Sequence, residues 1–249
     1  MSDDDRDRLW HAGNLAEPHD APDKARRVRD MFDAVAPTYE RVNTLCSLGR
    51  DASWRRRAVR LAGIRETDRV LDVACGTGDL TRSFAAAGPR TVVGSDFSYE
   101  MIRLAPGKSN GAIRWCEADA QRLPFEDGQF DVVSCAFGIR NLERLEVGLS
   151  EFCRVLDREG RAVILEFSLP QNTVLRQFFL FYFLKIMPVF AGWISGDRTG
   201  AYRYLPRSVL RFPERQQIVD QLRRAGFERV EVHPLTFGIA VAYLAYKSP

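Results

Sequence analysis

Asp72, Gly76, Thr77 and Gly78 lie within VLDVACGTGDLT, Val70 to Thr81, and their types and spacing suit a ligand-binding turn. Val70 to Ala74 reads as a buried strand, Gly76 and Gly78 as a turn, and the residues after them as a helix start. Such a turn lets a ligand lie against backbone N–H groups at a helix N-terminus, and glycine permits the close approach. A dinucleotide fingerprint, G-x-G-x-x-G, requires its third glycine at position 81, where Thr81 stands. The acid four residues before the first glycine, Asp72, suits a cationic ligand better than a pyrophosphate. S-adenosylmethionine carries a sulfonium and an ammonium, so it fits. Asp72 is expected near the ammonium, directly or through water.

A second acid, Asp96, ends the apolar run TVVGSD, 18 residues past Gly78. A carboxylate near that spacing hydrogen-bonds ribose hydroxyls in nucleoside-binding sheets, although strand ends also carry Asp as a helix cap. Asp119 and Ala120 follow a third acidic strand end, and Phe130 to Phe137 reads as another strand. Acids at successive strand ends in a βαβ rhythm point to one crevice at the carboxyl edge of a parallel sheet. Residues 70–168 read as four strand–helix steps. The helix Leu145 to Leu156 is expected to stop at Arg158-Glu159-Gly160, with a strand over Arg161 to Phe167. Arg229 to Leu235 and Ile239 to Tyr246 are strands joined so tightly that they must be antiparallel. The expected fold is α/β. It resembles the class I S-adenosylmethionine-dependent methyltransferase fold, a Rossmann-like, mostly parallel sheet with an antiparallel C-terminal strand.

The length of 249 residues fits one α/β domain, and the net charge of +3 names no partner. Charge distribution says more. Residues 1–23 hold seven acids and two arginines and are expected to be a disordered tail ahead of a domain over 24–249. Residues 24–65 carry eleven Lys/Arg against four acids, including Arg55-Arg56-Arg57. That stretch reads either as a solvated helix face or as a contact for anionic lipid or nucleic acid. In the second helix of this stretch, Trp54, Ala58, Leu61 and Ala62 share one face. The five cysteines show no C-x-x-C, and His is too scarce for an imidazole metal site. With no signal peptide in the sequence, these features suggest a reducing, cytoplasmic setting.

Residues 169–212 form an insertion of different composition. LRQFFLFYFLKIMPVFAGW holds five Phe, one Tyr and one Trp, while Arg176, Gln177, Lys185 and Pro188 argue against a membrane span. An amphipathic segment that covers a greasy pocket or dips into a bilayer surface is expected, with Phe178, Phe179 and Phe181 as its lipid contacts. So aromatic a cover suggests an apolar substrate, such as a prenylated ring. The aromatics cluster away from the Arg run, so no nucleic-acid partner is expected.

The chain resembles the ubiquinone/menaquinone biosynthesis C-methyltransferase family over nearly everything from Val28 to Lys247. The matching segments are MFDAVAPTYERVNTLCSLGRDASWRRR, VLDVACGTGDLT, ADAQRLPFEDGQFDVVSCAFGIRN, CRVLDREGRAVILEFSLP, ISGDRTGAYRYLPRSV and LTFGIAVAYLAYK. Tyr39-x-x-x-Asn43, Phe137 to Asn141 and Tyr202 to Pro206 are far narrower signals than the glycine turn. The resemblance implies methyl transfer from S-adenosylmethionine to a ring carbon of a lipid-soluble polyprenylated quinol, demethylmenaquinol or the methoxy-benzoquinol precursor of ubiquinone. It places Thr77, Asp96, Asp119 and Ala120 at the cofactor, the last two at the adenine.

An ortho ring carbon becomes nucleophilic once its hydroxyl loses a proton. Guanidinium stays protonated in proteins, so Arg140 is expected to stabilise the phenolate and to orient a water that takes the proton. Asn141 would orient the ring oxygens, and Tyr39, Asn43, Tyr202 and Tyr204 would line the pocket. His233 could serve as a base, although His-Pro at a strand end is usually structural. Peripheral membrane contact and a homodimer are the further expectations. Asp51, Ala136 and Tyr243 depart from the family pattern, in which many relatives have His, Ser and His. The competing readings are another methyltransferase for an apolar small molecule, a dinucleotide oxidoreductase, and a cofactor-binding scaffold.

Overall fold

Seven strands carry the site. The computed structural model describes residues 9–11, 13–21, 23–108, 113–195 and 199–248. The strands are β1 (Arg69–Val73), β2 (Thr91–Asp96), β3 (Ile113–Glu117), β4 (Phe130–Ala136), β5 (Leu156–Phe167), β6 (Phe227–Leu235) and β7 (Ala240–Lys247). They form one sheet in the order β3-β2-β1-β4-β5-β7-β6. Pairing from β3 to β5 is parallel, and β7 runs antiparallel to both β5 and β6. The chain therefore winds outward from β1 in one direction and returns to β4 in the other. Between β1 and β4 lies the switch point at which open α/β sheets hold ligands.

Alternation along the strands builds two layers. Leu71, Val73, Val133, Cys135 and Ile164 face a cluster shared with α6 (Leu145–Val155) and α10 (Arg215–Arg224). Val70, Val92, Val132 and Val163 face the opposite cluster with α3 (Arg50–Ala62) and α4 (Asp79–Ala85). On α3, Trp54, Ala58 and Ala62 are buried at helical spacing. Helix α5 (Tyr99–Leu104) follows β2, with Ser98 capping it by accepting from the Met101 N–H.

The β3–β4 connection differs from the expected rhythm: residues 118–129 contain no helix. The Asp119 carboxylate accepts from the Gln121 N–H, and Gly128 is left-handed, so local turns take the place of a helix. Helix α6 also passes straight into β5 at Leu156. Arg158-Glu159-Gly160 lies inside that strand, where Glu159 adopts φ 60° and the pairing with β4 shifts register.

A third cluster joins α1 (Lys24–Val35), α2 (Tyr39–Cys46) and the insertion. The insertion contains α7 (Thr173–Phe181), a π turn (Tyr182–Ile186), α8 (Met187–Ser195) and α9 (Ala201–Leu210). At the π turn the Met187 N–H reaches back to the Tyr182 carbonyl. This widening keeps Phe179, Phe183, Met187 and Ala191 on one buried face. By length and composition alone, the 22-residue helix Thr173–Ile194, with a mean hydropathy of 1.5, could cross a membrane. In the fold, that buried face ties it to the third cluster.

The tail corrects the expectation of disorder. Trp10 is fully buried, its N–H donates to the Thr199 carbonyl at 3.0 Å, and its ring lies 4.2 Å from that of Tyr204. Leu15 is buried with it, and His19 Nε2 is 2.9 Å from the Ser208 carbonyl oxygen. The disorder expected of residues 1–8 lies outside the described residues. Burying one Trp and one Leu supplies the driving force that local composition hides. Trp10→Ala should lower stability by about 3–5 kcal/mol, the usual range for emptying a buried aromatic site. Urea unfolding would show a reduced midpoint at unchanged slope; an unchanged midpoint would contradict the packing of the tail.

Candidate active site

Both strands at the switch point end in a left-handed residue that is not glycine. Ala74 has φ 52° and Phe137 has φ 58°. Neighbours hold both: the Cys75 N–H donates to the Ser95 carbonyl at 3.0 Å, and the Phe137 N–H to the Leu165 carbonyl at 2.7 Å. Strained residues of this kind cluster at functional sites. The chain then turns sharply through Gly76 and Gly78, both at positive φ. A Cβ on Gly78 would collide with Trp115, so the glycine is required by space as well as by conformation.

Three cavities meet around these turns. The largest, about 320 Å³, is walled mainly by apolar side chains such as Met31, Trp54, Phe167 and Phe183. A second, about 70 Å³, lies between Asp96, the loop at Asp119 and Ala120, and α1. A third, about 30 Å³, contains Asp72, Gly76 and Thr77. Tyr39 and Phe137 line all three and form the partition between them.

The two small cavities match the two ends of the expected cofactor. Asp72 is fully buried and accepts hydroxyl hydrogen bonds from Thr81 and Ser134, each at 2.6 Å. Thr81 thus orients the carboxylate that the sequence places near the ammonium. Asp96 accepts from the N–H groups of Gly76 (2.8 Å) and Ser98 (2.9 Å), which leaves each oxygen able to accept again from a ribose hydroxyl. Burial raises both carboxyls to a pKa of about 6. The Thr77 hydroxyl donates to Glu40 on α2, closing the third cavity. Ala136 lines both small cavities with only a methyl. A carboxylate in each cavity, glycine backbone between them and an apolar adenine bay at Ala120 and Met101 fit S-adenosylmethionine.

The large cavity is lined by Arg50, Arg55 and Arg140, of which Arg140 is the most deeply held. Arg140 is buried to 6% exposure, and its Nη1 donates to Glu166 Oε1 at 2.6 Å and to the Phe137 carbonyl at 2.9 Å. Glu166, the buried partner of Arg140, was not singled out by sequence reasoning. Asn43, Tyr202 and Tyr204 line the same cavity, as expected. Asn141 does not: it lines the second cavity, donating to the Phe137 carbonyl at 3.3 Å and accepting from the Tyr204 hydroxyl at 3.1 Å. Asn141 thus lies in the second cavity, apart from the Arg140 guanidinium at the large one.

Asp51 is buried at the cavity wall with Arg55 at 2.5 Å and the Ser47 hydroxyl at 2.9 Å, and these partners hold its pKa low despite burial. Arg55 is therefore drawn out of the basic run, leaving Arg56 and Arg57 exposed. Tyr243 is buried in the sheet core, and His233 sits on β6 beside Glu231, 3.3 Å away. Lys24 was likewise unforeseen: its buried ammonium donates to the Leu142 carbonyl at 2.5 Å and the Arg140 carbonyl at 3.3 Å, clamping α1 to the turn that carries Arg140.

With this geometry described, comparison with known proteins is informative. A model of the ubiE/COQ5 methyltransferase family matches residues 21–247. The ubiquinone/menaquinone biosynthesis C-methyltransferase UbiE of Citrifermentans bemidjiense is 44% identical over 90% of this chain and 98% of its own. The demethylmenaquinone methyltransferase of Deinococcus radiodurans is 43% identical over 95% of this chain and 99% of its own. Among solved structures, a SAM-dependent methyltransferase from Thermotoga maritima aligns with a TM-score of 0.63 at 19% identity, covering 89% of this chain and 100% of that one, which supports the fold.

The two raised carboxyl pKa values fix the direction of a pH effect. The folded apoprotein holds protons on Asp72 and Asp96 between their ordinary pKa of 3.8 and about 6, where the unfolded chain has released them. Their contribution to stability therefore improves as pH falls through 6. A cofactor held by these two carboxylates would need their ionised forms, so its binding would move the other way. S-adenosylhomocysteine affinity, measured by calorimetry, should fall as pH drops from 7 to 5, and Asp96→Asn should weaken it roughly tenfold or more at pH 7, from loss of a charged hydrogen-bond acceptor. A flat pH profile would contradict both assignments.

Proposed function

Because the chain belongs to the ubiE/COQ5 methyltransferase family, we propose that it methylates a ring carbon of a prenylated quinol, converting demethylmenaquinol to menaquinol. One observation carries this reading. A large apolar cavity adjoins two small carboxylate-bearing cavities at Tyr39 and Phe137, and a buried guanidinium stands at its wall. An apolar bicyclic ring with ionisable hydroxyls is the kind of acceptor such a cavity selects.

S-adenosylmethionine supplies an electrophilic methyl on a positively charged sulfur. Asp96 would hold its ribose, Asp72 its ammonium, and Asp119 with Ala120 its adenine. Tyr39 and Phe137 would separate the two ligands, so that a ring carbon can face the methyl across their partition. Arg140 would meet the developing phenolate with N–H donors already in place, in a cavity from which apolar walls exclude water. Fixed donors in a dry site stabilise charge without reorganising during the reaction. The quinol proton would leave through a water held against Arg140, since the guanidinium has no free lone pair.

The substrate's solubility in lipid agrees with the outer face of the insertion. Phe178, Phe181, Val189, Phe190 and Trp193 are exposed along one helix, while Phe179, which the sequence placed among them, is buried. Residues 167–195 carry Arg176 and Lys185 and no acid. An apolar face with basic flanks suits a peripheral seat on an anionic bilayer surface. Leu48, 78% exposed and left-handed at φ 52°, extends that face to the cavity wall.

Two experiments test these readings. Wild type should transfer labelled methyl to chemically reduced demethylmenaquinol. Arg140→Ala should lose at least ~100-fold in rate, the cost of removing one oxyanion-type donor, while S-adenosylhomocysteine still binds. Transfer by wild type only to other apolar acceptors would redirect the assignment. For the membrane, the protein should pellet with phosphatidylglycerol liposomes, and Phe178→Ser/Phe181→Ser/Trp193→Ser should stay in solution. Equal recovery with and without liposomes would refute the seat; a concentration-dependent dimer that the triple variant abolishes would assign the face to a second copy of the chain instead.

A further inference from the structure

Arg140 does not stand alone. Glu166, the next-to-last residue of β5, is 1% exposed and lies behind the guanidinium rather than on the cavity wall. Its Oε1 accepts from Arg140 Nη1 at 2.6 Å and from the Phe167 N–H at 2.8 Å, and its Oε2 lies 3.4 Å from the Arg140 backbone nitrogen. The Phe137 carbonyl takes Nη1 as well. Arg140 is thus held from one corner, with its Cζ 5.5 Å from the centre of the Phe167 ring. Its Nε is buried and has no hydrogen-bond partner among the described residues. A buried donor left unpaired is costly, and this one belongs to the residue that faces the apolar cavity.

Buried ion pairs are often no more stable than apolar residues of the same size, so the pair is weak as a stabilising device. It makes better sense as a device for aim and for field. Resting on the quinol reading above, we propose that Glu166 is a positioning residue for methyl transfer: it fixes the guanidinium so that an N–H not taken by Glu166 or Phe137 receives the quinol oxygen, and its charge limits how far Arg140 stabilises the phenolate. The second part follows from carbon nucleophilicity. A bare guanidinium would favour ionisation of the hydroxyl but would also hold its electron pair and blunt attack by the ortho carbon. A neutral Arg–Glu pair still orients N–H donors but exerts a weaker field. No bond to Glu166 forms or breaks in this role.

The test separates aim from charge. 1-Naphthol serves as a ring analogue whose anion is read by absorbance when bound to the protein–S-adenosylhomocysteine complex. Glu166→Gln keeps a hydrogen-bond acceptor and removes the charge. It should lower the pKa of bound naphthol by about one unit or more, the size expected for one charge removed several ångströms away at an effective dielectric near 20. The acidic limb of kcat against pH should move down with it. Glu166→Asp keeps the charge and withdraws it by one methylene. It should leave the naphthol pKa near that of wild type while kcat falls about tenfold, and it serves also where Gln does not fold. A naphthol pKa and kcat profile in both Glu166 variants matching wild type would overturn the proposal. A wild type that neither methylates demethylmenaquinol nor perturbs naphthol would overturn the quinol reading itself, and this proposal with it.

Discussion

The left-handed turn at Phe137 is the constraint on which the site depends. Its N–H is fixed to Leu165 on the neighbouring strand, and its carbonyl accepts from both Arg140 and Asn141. Its ring packs against Phe167 at 4.6 Å and Trp54 at 6.0 Å and borders all three cavities. One residue therefore sets where the cofactor side ends, where the acceptor side begins and which way the cation points. An L-residue reaches this conformation at a cost, and the surrounding hydrogen bonds and ring contacts hold it there.

The sheet provides the cofactor half of the site and the third cluster provides the rest. Ala74, Asp72 and Asp96 are set by strand ends whose register is fixed across β2, β1 and β4. The large apolar cavity has only part of that frame: Phe137, Arg140 and Phe167 at the strand ends form one side, and α1, α2, α3 and the insertion form the rest. Its α1, α2 and insertion residues pack on one another and on Trp10. Lys24 links the halves, because its ammonium bonds to carbonyls of the turn that carries Arg140 while α1 covers the second cavity. A cover built from packed helices and two short turns can exclude water from the reaction and still expose an apolar outer face.

The residues proposed to hold the cofactor were legible because their signals are local. The glycine turn, Asp72, Asp96 and the Asp119 loop each announce themselves within a few residues of a strand end. Residues that act through distant partners were not legible. Glu166 reads as part of the apolar run VILEF, and its role emerges only with Arg140, 26 residues earlier in sequence, packed against it. Thr81 was noticed as a missing glycine, whereas its hydroxyl is what matters. The tail looked disordered by composition because the partners of Trp10, Thr199 and Tyr204, lie in the insertion near the other end of the chain. Asn141 was expected at the ring oxygens beside Arg140, and spacing alone does not show that it lines the neighbouring cavity.

The proposed cofactor and acceptor sites meet at the partition formed by Tyr39 and Phe137, with Phe32 and Arg55 at its edges. A crystal structure of the protein with S-adenosylhomocysteine and a short-chain naphthoquinol analogue tests this arrangement most directly. The account places the ligand's ribose on Asp96, its sulfur at the partition, and the ring in the large apolar cavity with an oxygen at Arg140. A sulfur directed away from that cavity, or a ring bound elsewhere, would contradict it.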